Sequence, residues 1–191
     1  MHLIWVKGDT KMKGNRFAFA AALAAAVAMG NLCWAQQAAN PLVEGQQVVH
    51  NMVKNNIIRA AEKMPEEHYS FRPVPEVMSF AEMLGHIADS QYSYCASVTG
   101  ERKPSPGLQK KPNLSKGELV AALKEAFAVC DQAIASLTDA KAMEPAPLFG
   151  RQMPRLTILT FNTAHNDEHY GNLVTYMRMK GLVPPSSEGR R

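Results

Sequence analysis

The chain has 191 residues, which is room for one ordinary domain with one hydrophobic core. With 46% apolar and 20% charged residues it has the make-up of a folded globular protein, neither a disordered chain nor one embedded along its length in a membrane. The net charge of +4 is concentrated near the start, where Lys7, Lys11, Lys13 and Arg16 face Asp9 alone. From residue 36 onward seventeen basic side chains meet sixteen acidic ones, and no basic face with interleaved aromatics argues for nucleic acid as a partner.

Residues 1–35 read as a secretory signal: Lys11, Lys13 and Arg16 precede an Ala-rich apolar run from Phe17 to Met29, and the small-residue end Cys33-Trp34-Ala35 offers cleavage after Ala35. Thirteen apolar residues fall short of the roughly 20 that span a bilayer, so no membrane anchor is expected after cleavage. A signal's positive region belongs at the terminus itself, which makes Met12 a candidate start and residues 1–11 an upstream extension. A lipoprotein box at Cys33 is discounted, because Leu32 stands where a small residue is wanted. The expected product is periplasmic or secreted, and it retains Cys95 and Cys130. Without a CxxC motif these are expected to be buried thiols rather than a bonded pair, although an oxidising compartment would permit the bond.

In the mature chain, Val43, Val48, Val49, Met52, Val53, Ile57, Ile58, Ala61 and Met64 recur at helical spacing and predict a first helix ending before Pro65. Two prolines and three ring-bearing side chains in 66–75 predict an ordered, extended loop packed on the fold. Ser79 with Glu82 forms a capping box that opens a second helix from Phe80 to about Val98, closed by Gly100. The connection 100–114, with Gly100, Pro104, Pro106, Gly107, Pro112 and four basic residues, is longer than the roughly 2–8 residues that join antiparallel neighbours. It predicts a crossover that leaves the second and third helices running the same way. Ser115 with Glu118 opens the third helix, which runs to about Leu137 with an apolar stripe from Leu119 to Ile134. A loop with Pro145, Pro147, Gly150 and Pro154 leads to a fourth helix from Leu156 to Lys180, stopped by Gly181 ahead of Pro184-Pro185. The tail 186–191 is expected to fray. No period-2 run predicts a strand. The expected class is an all-α four-helix bundle over residues 42–185, with a long connection between helices two and three.

The chemistry concentrates on histidine. His165 and His169 lie four apart on a helix, so both imidazoles project from one face. Such a pair is either two ligands for one ion or two histidines satisfied by their neighbours. His86 lies midway along the second helix on the side of Phe80, Met83, Leu84 and Ile87, where a buried imidazole needs a partner, either a metal or another side chain. Residues 165–169 also fit the H-x-x-E-H pattern of inverted zinc peptidases. That reading fails because the acid expected downstream is absent from the fourth helix, Glu188 in the tail being the only one after His169. Asn166 likewise breaks the H-E-x-x-H pattern.

Three stretches together resemble the DinB-like (DinB/YfiT) metalloenzymes: Tyr69-Ser70-Phe71-Arg72-Pro73; the run Ser79 to Asp89 around His86; and His165 to Gly181, with Tyr176-Met177-Arg178 near its end and Pro184-Pro185 beyond. The resemblance covers nearly all of residues 43–185. It implies a four-helix bundle with a long second connection and a divalent ion, zinc or nickel, held by His86, His165 and His169. It also allows a homodimer through bundle faces.

Other polar residues have plainer readings. Glu82 is a helix cap before it is an orienter of an imidazole; His50 is a core or surface histidine before it is a further polar group at the site; and His68 is solvated in its loop. Gly171 is expected to serve close packing, and Arg178 to pair with an acid on a neighbouring helix. The methionines are core filler. The expected function is that of a metal-dependent hydrolase or transferase whose ion keeps one position open for water or an unidentified small-molecule substrate, with no catalytic side chain identified. Relatives of this class include enzymes that use low-molecular-weight thiols, which are cytosolic, so an exported protein points to hydrolysis instead. The alternative is a bundle that binds metal or a partner without chemistry.

Overall fold

A computed structural model describes residues 40–101, 103–111 and 113–189. The signal-sequence reading and the proposed cleavage after Ala35 lie outside these residues. Helix α1 spans Pro41–Lys63, α2 Phe80–Thr99, α3 Lys116–Ala135, the single turn α4 Asp139–Ala142, and α5 Arg155–Met179; strands β1 Pro145–Leu148 and β2 Arg151–Pro154 precede α5. No described helix is long and apolar enough to cross a membrane.

The four long helices form the expected bundle. Cys95 lies against Cys130, and the start of α2 shares a core with the start of α3, so α2 and α3 run parallel as the long connection predicted. Helices α1 and α5 also run parallel: Gln46 near the start of α1 donates to Thr163 Oγ1 (2.8 Å) near the start of α5, and Lys63 at the end of α1 donates to the carbonyl of Val183 (2.7 Å). The remaining neighbour pairs, α2 with α5 and α1 with α3, are antiparallel, and this crossing of α2 over α5 sets up the site.

Both capping boxes form. The Ser79 and Ser115 hydroxyls accept from the backbone N–H of Glu82 and Glu118, and each glutamate carboxylate accepts from its serine N–H, at 2.7 and 2.8 Å. Gly100 ends α2 in the left-handed conformation at φ 79°. Helix α1 is capped from a distance, since the Asp139 carboxylate accepts from the N–H groups of Leu42 and Val43 (3.1 and 3.0 Å). The loop after α1 packs as expected, with the Tyr69 hydroxyl donating to the carbonyl of Ala61 at 2.6 Å and its ring 5.3 Å from that of Phe80.

The core has two apolar halves. One gathers Ile57, Met64, Phe80, Leu84, Leu123, Phe127, Leu173 and Met177. The other gathers Val98, Ile134, Ile158 and Leu159 with the hairpin residues Ala146 and Leu148. Between them lies a layer of buried amides: Gln91 Nε2 donates to Asn166 Oδ1 (2.8 Å) and Asn162 Nδ2 donates to Gln91 Oε1 (2.9 Å), all three side chains being shut off from solvent. Mutual pairing is what makes these amides tolerable in a core.

Several expectations need correction. Cys95 and Cys130 are not free thiols but a disulfide, with Cα atoms 5.3 Å apart; buried-thiol spacing and paired-thiol spacing look alike along a helix. The segment expected as a loop before α5 contains α4 and an antiparallel hairpin, with Leu148 opposite Arg151. Its prolines hid the strands, because proline is depleted from strands and donates no ladder bond. The tail is docked through Ser186 to Glu188: Tyr170 Oη donates to Ser186 Oγ (2.9 Å), and Glu188 pairs with Lys63 (2.6 Å) and Arg59. Arg178 donates to the Ser187 hydroxyl (2.9 Å) instead of pairing with an acid on another helix. A Cβ on Gly171 would meet nothing within 4 Å, so that glycine serves no close packing.

Candidate metal centre

The site is built from α2, α5 and the long connection. One helical turn separates His165 from His169 on α5, and their Nε2 atoms lie 3.1 Å apart. Antiparallel α2 brings His86 across, with its Nε2 3.0 Å from that of His165. One ligand atom from each of the three lies within 4.8 Å of the others, and no further Cys, His, Asp or Glu joins the group among the described residues. His86 and His165 are half-buried, while His169 is 9% exposed.

What positions His86 is a feature the motifs did not reveal. A Cβ at Gly85 would come within 2.7 Å of the backbone nitrogen of Gln109 and 2.8 Å of the carbonyl carbon of Leu108, so only glycine lets the connection lie flat on α2. One turn after Gly85, the Asp89 carboxylate accepts from the N–H groups of Leu108 (3.0 Å) and Gln109 (2.9 Å) and from the Ser105 hydroxyl (2.6 Å). So clamped, the connection delivers the Gln109 side chain to His86, Oε1 to Nδ1 at 3.2 Å, while Gln109 Nε2 donates to Met78 Sδ (3.3 Å). Because the amide oxygen can only accept, the His86 proton resides on Nδ1 and the Nε2 lone pair faces the other two histidines.

The three side chains fit a divalent ion. Metal–imidazole bonds of about 2.0–2.1 Å place ligand nitrogens roughly 3.0–3.4 Å apart, which matches the two Nε2 separations. Burial, reinforced by the neighbouring imidazoles of His169 and His86, pushes the His165 pKa down to about 4; burial and His86 do the same for His169. Both are therefore neutral near pH 7 and carry lone pairs. Their Nδ1 atoms are buried without a hydrogen-bond partner, a state that an ion held on the Nε2 atoms would leave as it is, so the fit rests on the Nε2 spacing and on the neutral rings.

The other polar residues lie elsewhere. Glu82 caps α2 and takes Arg72 Nη2 on both oxygens (3.0 and 2.9 Å), so it orients no imidazole. His50, 2% exposed, bonds Asp131 Oδ1 at 3.1 Å beside Lys54, away from the triad. Glu168 is exposed on α5, and His68 is half-buried on the short turn after α1. A concavity of about 860 Å³ opens between the loop after α1 and the long connection; Gln109 lines it, and none of the three histidines does.

Beside the triad stands an aromatic group. The Tyr94 ring lies 5.5 Å from that of His165 and 5.8 Å from Phe161, one turn before His165, and Phe149 at the hairpin tip lies 6.2 Å from Tyr94 and 5.7 Å from Phe161.

Comparison with known proteins is consistent with this architecture. The family described as the DinB superfamily matches residues 52–173. The chain is 29% identical over 136 residues to the uncharacterized protein YjoA of Bacillus subtilis (strain 168), covering 69% of this chain and 84% of that one. The crystal structure of that DinB-like protein superposes with a TM-score of 0.58 at 24% identity, covering 75% of this chain and 94% of the other. A DinB-like protein from Bacillus cereus ATCC 10987 superposes with a TM-score of 0.66 at 20% identity over 74% of this chain and 95% of its own. A mutant of the mycothiol-dependent maleylpyruvate isomerase shares the fold at 15% identity and a TM-score of 0.58, covering 69% and 60% of the two chains.

Proposed function

This chain belongs to the DinB superfamily, and from that premise we propose that it is a divalent-metal-dependent enzyme whose ion is held by His86, His165 and His169. The observation that carries the reading is the convergence of the three Nε2 atoms with Gln109 holding the His86 tautomer. A bound ion supplies Lewis acidity toward a substrate oxygen or sulfur. The chain's own residues do the rest. The three imidazoles leave no fourth protein ligand among the described residues, so the site has the donor set of an open centre rather than a closed structural one. Gly85 and Asp89 hold the connection that orients His86, and Tyr94 packs against His165.

Zinc or nickel is the proposed ion, as imidazole suits both. The test is elemental analysis of protein purified without added metal. Close to one ion per chain is expected in the wild type, and little in His86→Ala or His169→Ala; equal metal content in all three overturns the reading. Hydrolysis is the proposed chemistry, with thiol transfer as its rival, and a screen of the metal-loaded protein against ester, amide and thiol-transfer substrates separates them. One observation favours a non-catalytic metal-binding bundle: none of the three histidines lines the 860 Å³ concavity. Silence of the loaded protein in every assay would support that reading.

Export is a further part of the proposal, supported by the Cys95–Cys130 disulfide, since such bonds persist in oxidising compartments. Expression of the full chain should deliver a protein beginning at Gln36 outside the cytoplasm. A cytoplasmic product retaining residues 1–35 would refute it.

A further inference from the structure

Phe149 occupies a position that its residue type does not suit. It is the first of the two turn residues between β1 and β2, with φ at 49°, followed by Gly150 at 74°. Two positive φ values in a two-residue hairpin make a type I′ turn, for which Asn-Gly is the favoured pair; a bulky Cβ-bearing residue is strained there. The ring is not repaid by burial either, since Phe149 is 71% exposed. It instead extends a row of rings: Phe161, 46% exposed, and Tyr94, which is buried and leans on the metal-ligand candidate His165. Exposed aromatic surface held by a strained turn, and joined through Tyr94 to the His165 ring of the three-histidine group, is placed for a ligand.

We propose that Phe149 and Phe161, backed by the buried Tyr94 that joins them to His165, form the specificity shelf of this site, and that its substrate is a small molecule with a metal-ligating head and an aryl or flat apolar group lying on the shelf. The proposal rests on the metal reading for the head and on the aromatic geometry for the body. A protein partner fits less well, because two exposed rings fall far short of the roughly 800 Å² per partner that a stable interface buries.

The test compares benzohydroxamate with acetohydroxamate, which share a chelating head and differ in phenyl against methyl, by calorimetry on zinc-loaded protein. The phenyl probe should bind on the order of tenfold more tightly to the wild type. Phe149→Asn should lose most of that preference, keep its acetohydroxamate affinity, and melt no lower than the wild type, because it completes an Asn-Gly turn. Equal affinity of the two probes for the wild type, or a preference that survives Phe149→Asn, overturns the proposal. A lower melting temperature would reassign Phe149 to packing and overturn it as well. Should neither hydroxamate bind, the metal reading has failed. The shelf is then judged on metal-free protein by saturation-transfer NMR with benzyl alcohol: a wild-type signal that disappears in Phe149→Asn supports the shelf, and no signal from the wild type, or one that survives the substitution, overturns it.

Discussion

Gln109 is 23 residues away from His86 in the chain, yet its amide oxygen decides which imidazole nitrogen carries the proton. Partners of this kind typically alter metal affinity by about 10- to 100-fold. Gln109→Ala should therefore weaken metal binding by about that factor, measured by competition with a chelator, while Gln109→Glu, still an acceptor, should retain most of it; unchanged affinity in Gln109→Ala would remove this residue from the site. The lowered pKa values of His165 and His169 also have a sign. In the unfolded chain both titrate near 6.5, whereas in the fold they stay neutral down to about 4. Between those values the unfolded state binds more protons, so the metal-free protein should lose stability as pH falls from about 6.5 to about 4. Denaturant melts of the metal-free protein at stepped pH measure this, and His165→Ala should flatten the dependence. At this scale the i, i+4 histidine pair was legible in the sequence because helix geometry alone aligns it. Gln109 was not, because a glutamine in a Pro-rich connection carries no periodic signal.

Among the elements, α2 carries the most information per residue. Its capping box was readable from Ser79 and Glu82, and Ser79→Ala should cost about 1 kcal/mol in chemical denaturation. Gly85 reads in sequence only as a weak point in a helix. The structure shows it as the seat of the connection, where a methyl group would overlap the backbone of Leu108 and Gln109. Gly85→Ala gains helix propensity but should still destabilise the protein and lower its metal affinity; a variant stable and fully metal-binding would contradict the close approach. The disulfide joins α2 to α3 across 35 residues, a loop for which closure entropy contributes about 3–4 kcal/mol. Cys95→Ser with Cys130→Ser should show a loss of that order in equilibrium unfolding. The hairpin was missed because Pro145, Pro147 and Pro154 argue against strands; its own ladder and the packing of Ala146 and Leu148 on the bundle hold it.

At the level of the whole molecule, the three histidines come from two antiparallel neighbours, α2 and α5. A ligand that bridges them should stabilise the fold. With free metal at about 100 times its dissociation constant, linkage contributes about 2.7 kcal/mol. For a domain of this size that raises the melting temperature by roughly 5–10 °C. Zinc titration followed by calorimetry should show this shift in the wild type and not in His86→Ala. The buried amides Gln91, Asn162 and Asn166 belong to the same scale, dividing the two apolar halves of the core.

Sequence alone determined what short-range physics controls: four long helices, their caps and ends, the length of the second connection, and the shared face of His165 and His169. Each follows from hydrophobic periodicity, side chain to backbone bonds within one turn, or the backbone preferences of glycine and proline. Tertiary structure decided what depends on which distant segments meet: the Cys95–Cys130 bond, the Asp139 cap on α1, the seat at Gly85, and the hold of Gln109 on His86. None of these partners is within reach along the chain, so only the packing of the helices and of their connections on one another could choose among them.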